Sequence, residues 1–276
     1  MDSRSVLFVE PSSYGIRYKI NPHMGGAVDG EKAYEQWETL VESYENYAEV
    51  SVIRPSEVQT RNESFRSPAE LPDLTFCANH GLVHSRSKTF IVSNMATPQR
   101  AGEPLYTAQF FEQLGWDTTE IGAPFEGAGD ALYHPERELV WLGHGVRTTK
   151  EAVEQVRSIL NMSVHSLELV SDTYYHLDTC LTPLNETAAA YVPKAFTQEG
   201  IQKLEDEFAT LYEVPSGEAR ALACNMSVPE EGVVFMPSGN ENTEELLSSA
   251  GYDVYPIETS EFEKAGGSVF CLCLSF

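Results

Sequence analysis

The chain has 276 residues, 42 acidic against 18 basic, for a formal charge of −24, with 42% hydrophobic and 11% aromatic residues. That composition excludes disorder and collagen, and the length admits one large domain or two small ones, each able to bury a core. The charge argues against the basic face that phosphate neutralisation demands and against docking on an anionic membrane, so neither nucleic acid nor membrane is an expected partner.

Taken in chain order, the first expected element is a strand over Val6–Val9. A helix follows over Gly30–Ala48, where Ala33, Tyr34, Trp37, Leu40, Val41, Tyr44 and Tyr47 recur on one face. A short strand, Val50–Ile53, and a polar surface loop, Ser56–Pro72, come next. The same succession then recurs. Strand Thr89–Val92 leads to helix Glu103–Leu114 and strand Trp116–Ile121, and strand Leu139–Leu142 leads to helix Thr148–Leu160 and strand Ser163–Leu169. Thr148 or Thr149 caps the third helix. Helix Thr197–Phe208 precedes strand Leu211–Val214. Strand Gly232–Met236 precedes helix Asn242–Ser249 and strand Tyr252–Ile257, and the last expected strand is Ser268–Leu274.

Five helix-plus-strand units share this plan at irregular spacings of roughly 40 to 70 residues, which describes a degenerate structural repeat and not a solenoid. The expected fold class is α/β, a closed ring of five ββα-type blades around a central channel. A doubly wound parallel sheet is the alternative, weakened because no Gly-x-Gly-x-x-Gly or Walker signature follows any strand. No Ser/Pro/Gly-rich linker divides the chain, so a single domain over 1–276 is expected.

Only seven of the basic residues are Lys, so the surface is expected to be dominated by Asp and Glu, as in proteins that stay soluble in concentrated salt. On that reading stability rises between low and molar salt, which thermal unfolding across a salt series checks. No apolar run approaches the ~20 residues of a membrane span, and Met1–Ser5 lacks the charged and apolar regions of a leader, so a cytoplasmic protein is expected. Five cysteines, Cys77, Cys180, Cys224, Cys271 and Cys273, form no framework spacing and no Cys-x-x-Cys pair. Structural disulfides and a structural zinc are not expected.

Four segments carry polar chemistry in apolar surroundings. Leu71–Val83 embeds Asp73 and Asn79, buried polar groups for which a ligand is one candidate partner. Pro124–Leu132 sets Glu126 and Asp130 around a glycine-rich turn, where a cation or a proton can be held. Tyr174–Cys180, read as a strand, puts His176 and Asp178 on one face, an acid–base pair in form. Ala265–Leu274 pairs Gly266 and Gly267, which permit close backbone approach, with Cys271 and Cys273 on one strand face. Taken singly, each has a plainer reading: a core cysteine, a core histidine, a turn with solvated acids. His80, His84 and His144 lie in loops near glycines and are expected at the surface. No His pair has helical metal spacing, so no metal or other cofactor is invoked.

In this order the segments resemble the guanidino-group-modifying enzymes, the amidinotransferase or pentein superfamily. That superfamily includes arginine deiminase, dimethylarginine dimethylaminohydrolase, arginine dihydrolase and the glycine amidinotransferases. The resemblance runs from Ile20-Asn21-Pro22-His23-Met24 to the C-terminal cysteine segment. It implies a five-bladed α/β propeller and a small-molecule guanidino substrate, with homo-oligomerisation left open. It implies Cys271 as the nucleophile on the guanidinium carbon, with Cys273 where relatives carry Ser or Thr. His176 is the implied general acid and base, Glu126 the carboxylate working with it, and Asp178 a grip on guanidinium nitrogens. Arg100 and Arg147 match arginines kept for a substrate α-carboxylate, the plainer reading of Arg147 being a salt bridge to a helix.

The chain departs from the deiminase pattern at Asn79, where deiminases carry Asp, and at Glu126-Gly127-Ala128-Gly129-Asp130, one residue longer than Glu-Gly-Gly-Asp. Arginine dihydrolases resemble it at Asn79 and at Asn21. The implied reaction is hydrolysis of guanidino C–N bonds through a covalent S-alkylthiouronium, with arginine dihydrolase first. Dimethylarginine dimethylaminohydrolase or arginine deiminase comes next, then amidinotransferase, and a non-catalytic binding module is the alternative of a different class.

Overall fold

In the computed structural model, residues 5–59 and 65–276 are described. The reading of Met1–Arg4, and the part of the Ser56–Pro72 loop spanning 60–64, lie outside the described residues.

The secondary structure repeats one unit: a hairpin of two strands, a helix, and a third strand parallel to the second. The first unit is β1 (Ser5–Val9), α1 (Gly30–Tyr44) and β2 (Glu49–Ile53). The second is β3 (Gly81–His84), β4 (Thr89–Val92), α2 (Pro104–Gln113) and β5 (Asp117–Glu120). A short helix, α3 (Gly127–Asp130), opens the third, followed by β6 (Ala131–Tyr133), β7 (Leu139–His144), α4 (Lys150–Leu160) and β8 (Ser163–Glu168). The fourth is β9 (Leu181–Asn185), β10 (Ala188–Tyr191), α5 (Gln198–Glu207) and β11 (Thr210–Glu213). After α6 (Ser216–Arg220) the fifth is β12 (Ser227–Glu230), β13 (Val233–Pro237), α7 (Glu241–Ser249) and β14 (Asp253–Ile257). Then α8 (Ser260–Glu263) leads to β15 (Cys273–Ser275).

These strands form five separate three-stranded sheets. In each, the middle strand pairs antiparallel with its hairpin neighbour and parallel with the strand after the helix, the crossover a parallel pair requires. The first sheet takes its antiparallel strand from the far end of the chain. Val6, Leu7 and Phe8 pair with Ser275, Leu274 and Cys273, so the two ends of the sequence close one sheet.

Helix α1 shows why the units pack. Asp29 caps it by accepting from the Glu31 and Lys32 amides at 3.1 Å, and Ala33, Trp37, Leu40 and Tyr44 form a buried seam. Tyr34, expected on that face, is exposed. The seam meets Phe8, whose ring contacts Trp37 and Tyr44 edge-on at 6.5 and 5.4 Å.

Two expected strands are corrected. Ser268–Leu274 is strand only from Cys273, because residues before it form a tight turn that carries Cys271. Tyr174–Cys180 is not a strand either: His176 stands at the N-cap of a single 3₁₀ turn, Leu177–Thr179. Among the described residues no helix is long and apolar enough to cross a membrane.

Candidate active site

The turns that open the hairpins converge on one narrow cavity. Its wall includes Asn21, Asp73, Asn79, Arg100, Arg147, Tyr175 and Cys271, with Met24, Phe76 and Gly267 supplying apolar surface. Of the expected residues, Asn21, Asn79, Arg100, Arg147 and Cys271 line the cavity, and Glu126, His176 and Asp178 join them through direct hydrogen bonds.

Cys271 is buried, and its thiol donates to Asp178 Oδ2 at 3.1 Å. Burial and the Asp178 carboxylate push the Cys271 thiol well above its usual range. Burial pushes Asp178 up to about 7, against hydrogen bonds from Cys271 and Asn225. The second Asp178 oxygen, Oδ1, is buried without a partner. Gly267 explains the close approach: a Cβ there would meet Phe76 at 2.5 Å and the Cys271 Cβ at 3.2 Å.

His176 Nε2 lies 2.6 Å from Glu126 Oε2, and Asn79 Nδ2 lies at a long 3.5 Å from His176 Nδ1. Arg100 settles the orientation of that network. Its NH1 meets Asn79 Oδ1 at 3.0 Å, and a guanidinium only donates, so the Asn79 amide nitrogen faces the imidazole. His176 Nδ1 is then the acceptor and Nε2–H the donor to Glu126. Burial alone would raise the Glu126 carboxyl, but the His176 hydrogen bond and the Arg147 and Arg100 guanidiniums outweigh it and hold it at about 2. Its Oε1 accepts from the Ala96 amide at 3.1 Å.

Both arginines are paired within the protein. Arg147 donates to Glu126 Oε2 and to the Ile20 carbonyl, each at 2.9 Å, and its guanidinium lies 5.0 Å over the Tyr175 ring. Its acidic partner is thus Glu126 and not a helix. Arg100 donates to Glu103 Oε2 at 2.8 Å. What either offers a ligand is its remaining N–H groups.

The family model described as N,N dimethylarginine dimethylhydrolase, eukaryotic, matches residues 27–276. The chain belongs to that family. It is 33% identical over 275 residues to the bifunctional arginine dihydrolase/ornithine cyclodeaminase AgrE of Nostoc, covering 97% of this chain and 37% of that protein. It therefore spans well under half the length of this bifunctional relative. It is 31% identical over 276 residues to the N(G),N(G)-dimethylarginine dimethylaminohydrolase of Mycobacterium tuberculosis, covering 99% of this chain and 85% of that enzyme.

Among solved structures, the N-terminal domain of the cyanobacterial arginine dihydrolase ArgZ, a cysteine-to-serine mutant bound to its substrate, superposes with a TM-score of 0.90 at 31% identity. The match covers 99% of this chain and 97% of that one. An asparagine-to-serine variant of the same domain is covalently bound to a reaction intermediate. The five sheets are thus the blades of the pentein α/β propeller.

Within this family member, Asp130 has both carboxylate oxygens engaged by the protein itself. Its Oδ2 accepts from Thr148 Oγ1 at 2.6 Å and its Oδ1 from the Leu177 amide at 3.1 Å, so both oxygens hold backbone and hydroxyl around His176. Gly129 in the Glu126–Asp130 turn has its own reason: a Cβ there would fall 2.1 Å from Asn79 Nδ2, so the glycine makes room for the asparagine. His80 is not at the surface. It is fully buried, with Nδ1 2.8 Å from Thr107 Oγ1 and Nε2 3.5 Å from Glu103 Oε2, behind Arg100.

Asp73, singled out in the sequence but given no role there, lines the cavity. Its Oδ2 accepts from Tyr18 at 2.8 Å, its Oδ1 is buried without a partner, and burial raises it to about 6. Asn225 was missed outright, although its amide contacts the Cys271 sulfur at 3.2 Å. The signal that could have found it is the spacing of the site residues, which, unlike that of the helices, is nearly even from Asn79 through Glu126 and His176 to Cys271, with one position left open between the last two.

Proposed function

We propose that the chain is a one-domain arginine dihydrolase, converting arginine to ornithine, two ammonia and carbon dioxide. The observation that carries this reading is Asn79, a neutral amide placed between Arg100 and His176 where an anion would otherwise sit. The likeness to AgrE and to the ArgZ domain supports it.

Cys271 is the nucleophile. At rest it is a neutral thiol donating to Asp178, and a bound guanidinium reverses that balance by bringing a positive charge against both groups. The thiol proton passes to His176, and the sulfur bonds to the guanidinium carbon. The tetrahedral adduct then expels ammonia, which takes its proton from His176, leaving the S-alkylthiouronium. His176, neutral again and oriented by Glu126, draws a proton from water as its oxygen adds to that carbon, and collapse frees the sulfur. Citrulline is the product of this round. In a second round on retained citrulline the sulfur adds to the ureido carbon and the second ammonia leaves; water then displaces the sulfur from the resulting thiocarbamate, and the carbamate so formed loses carbon dioxide to give ornithine. The unpartnered Asp178 Oδ1 and Asp73 Oδ1 are the acceptors free for cationic nitrogens of the substrate. Arg100 and Arg147 present their remaining N–H groups to its carboxylate, and Asn21 completes the wall.

Product stoichiometry on L-arginine tests the assignment: two ammonia and one ornithine per arginine are expected, whereas citrulline with one ammonia overturns it in favour of a deiminase. The family model favours a second reading, dimethylarginine hydrolysis, for which dimethylamine release from dimethylarginine is the signature. The five free, buried cysteines support a reducing setting.

A pH dependence follows from Asp178. Its carboxyl, raised to about 7, is protonated in the free enzyme below that pH and loses its attraction for guanidinium. Because the unbound site binds a proton that the substrate-bound site releases, kcat/KM is expected to fall about tenfold per unit on the acid side of pH 7. Glu126, held at about 2, stays ionised throughout. The acid limb of kcat is expected at lower pH, since bound guanidinium stabilises the carboxylate. A kcat/KM flat from pH 5 to 8 contradicts this account.

A further inference from the structure

We propose that Asn225 is a catalytic residue, which fixes the Cys271 sulfur in its attacking position and supplies the N–H group that faces the negative charge developing on it. The inference rests on the reading of Cys271 as nucleophile.

The repeat is the first argument. The turn ahead of the antiparallel strand of each unit brings a polar side chain to the site at an equivalent position: Asn79 before β3, Glu126 before β6, His176 before β9, Asn225 before β12 and Cys271 before β15. They are separated by 47, 50, 49 and 46 residues. Four of these five equivalent turns supply groups already placed in the reaction, and Asn225 is what the remaining unit contributes.

The hydrogen bonds are the second argument. Asn225 Oδ1 accepts from the Cys271 amide at 3.3 Å and from the Ser268 amide at 3.1 Å. Main-chain N–H groups only donate, so that side of the amide is its oxygen and the other is its NH₂. Nδ2 then donates to Cys271 Sγ at 3.2 Å and to the Asp178 carbonyl at 3.2 Å. The Asn225 carbonyl also accepts from the Phe270 amide at 3.3 Å. One fully buried residue thus holds the 268–271 turn, the sulfur and the backbone of Asp178.

Its contact with sulfur is of the differential kind. In the resting thiol the S–H points at Asp178, and the Asn225 N–H meets a nearly neutral sulfur. Once the proton has left, the same N–H meets an anion in a buried site, and the bond strengthens as the reaction proceeds.

The chain accepts strain next to this residue. Leu222 has φ +61°, a left-handed conformation unfavourable for a bulky side chain, and it is buried, unlike the other non-glycine residues with positive φ among those described. The Asn225 amide closes that turn on the Leu222 carbonyl at 2.8 Å. The turn delivers Asn225 to the sulfur.

The test is the rate of Cys271 alkylation by iodoacetamide between pH 6 and 10, with the labelled residue located by mass spectrometry, alongside kcat and KM for arginine. Asn225→Asp keeps the acceptor for both amides and removes the donor; Asn225→Ala removes both and carries the same readout if the first variant fails to fold. The midpoint of alkylation is expected to rise by about one pH unit or more. The kcat is expected to fall about 100-fold, the scale of losing one preorganised donor, with KM within about threefold. A purely structural role would lower the melting temperature and leave the alkylation midpoint where it was, and that result overturns the proposal. Arginine turnover by wild-type protein whose Cys271 resists labelling at every pH would instead overturn the nucleophile assignment.

Discussion

Replacing Cys271 with serine is expected to remove at least roughly 10⁴-fold of the turnover, the scale on which loss of a nucleophile is felt, while the protein stays folded. A serine hydroxyl occupies the thiol's place and can donate to Asp178 and accept from Asn225, so the turn keeps its bonds. Its oxygen is a far weaker nucleophile, because bound guanidinium does not bring an alcohol within reach of ionisation at neutral pH. The control is Cys273→Ser, two residues away. Cys273 Sγ lies 3.3 Å from Tyr44 Oη, among the residues packed against α1, and does not line the cavity. Its replacement is expected to change activity by less than about threefold and to cost about 1 kcal/mol of stability. Steady-state kinetics on arginine and thermal unfolding of both variants give the comparison. Equal loss of activity in the two would remove Cys271 from its role.

The contrast between these cysteines shows how far the sequence could be read. The five-unit plan was legible because each helix carries an amphipathic stripe and each parallel strand a β-rich run, patterns set by burial against a neighbour. The first hairpin strands of the second to fifth units, and β10, were not. β6 has three residues and β10 is Ala188–Tyr191, small side chains with little strand preference, whose pairing is decided by the neighbouring strand. Cys271 and Cys273 were expected on one strand face. The strand begins only at Cys273, because the backbone amides of Ser268, Phe270 and Cys271 are held by Asn225 in a turn instead of by a partner strand. The same holds for His176 and Asp178: their chemistry was legible from residue type and order, their geometry was not, because a 3₁₀ turn places them. Asp130 shows the converse. A carboxylate beside a glycine turn reads as a ligand in sequence, yet its two oxygens are taken by Thr148 and the Leu177 amide, bonds whose partners lie 18 and 47 residues away.

Asn79→Asp is expected to shift the product from ornithine toward citrulline, changing the ratio of the two by at least about tenfold, and the geometry gives the reason. In the wild-type site Asn79 presents its oxygen to Arg100 and its nitrogen to His176, and bears no charge. A ureido group is neutral and has a carbonyl oxygen that wants a donor, so it is better tolerated beside an amide than beside a carboxylate. An aspartate there has no N–H to give, and it adds a negative charge to a site that already holds Glu126 and Asp178. Cationic guanidinium gains from that charge and neutral citrulline does not. The first round should therefore proceed, with His176 held more firmly in its protonated form by the new anion, while citrulline leaves before the second round begins. Gly129 is part of the same arrangement, since its missing Cβ leaves room for the residue 79 side chain in either form. Chromatographic separation of ornithine and citrulline after complete consumption of arginine measures the ratio. An unchanged ornithine yield would show that the charge at residue 79 does not set the depth of the reaction, and that retention of citrulline has to be sought in Asp73, Arg100 and Arg147, on the same cavity wall.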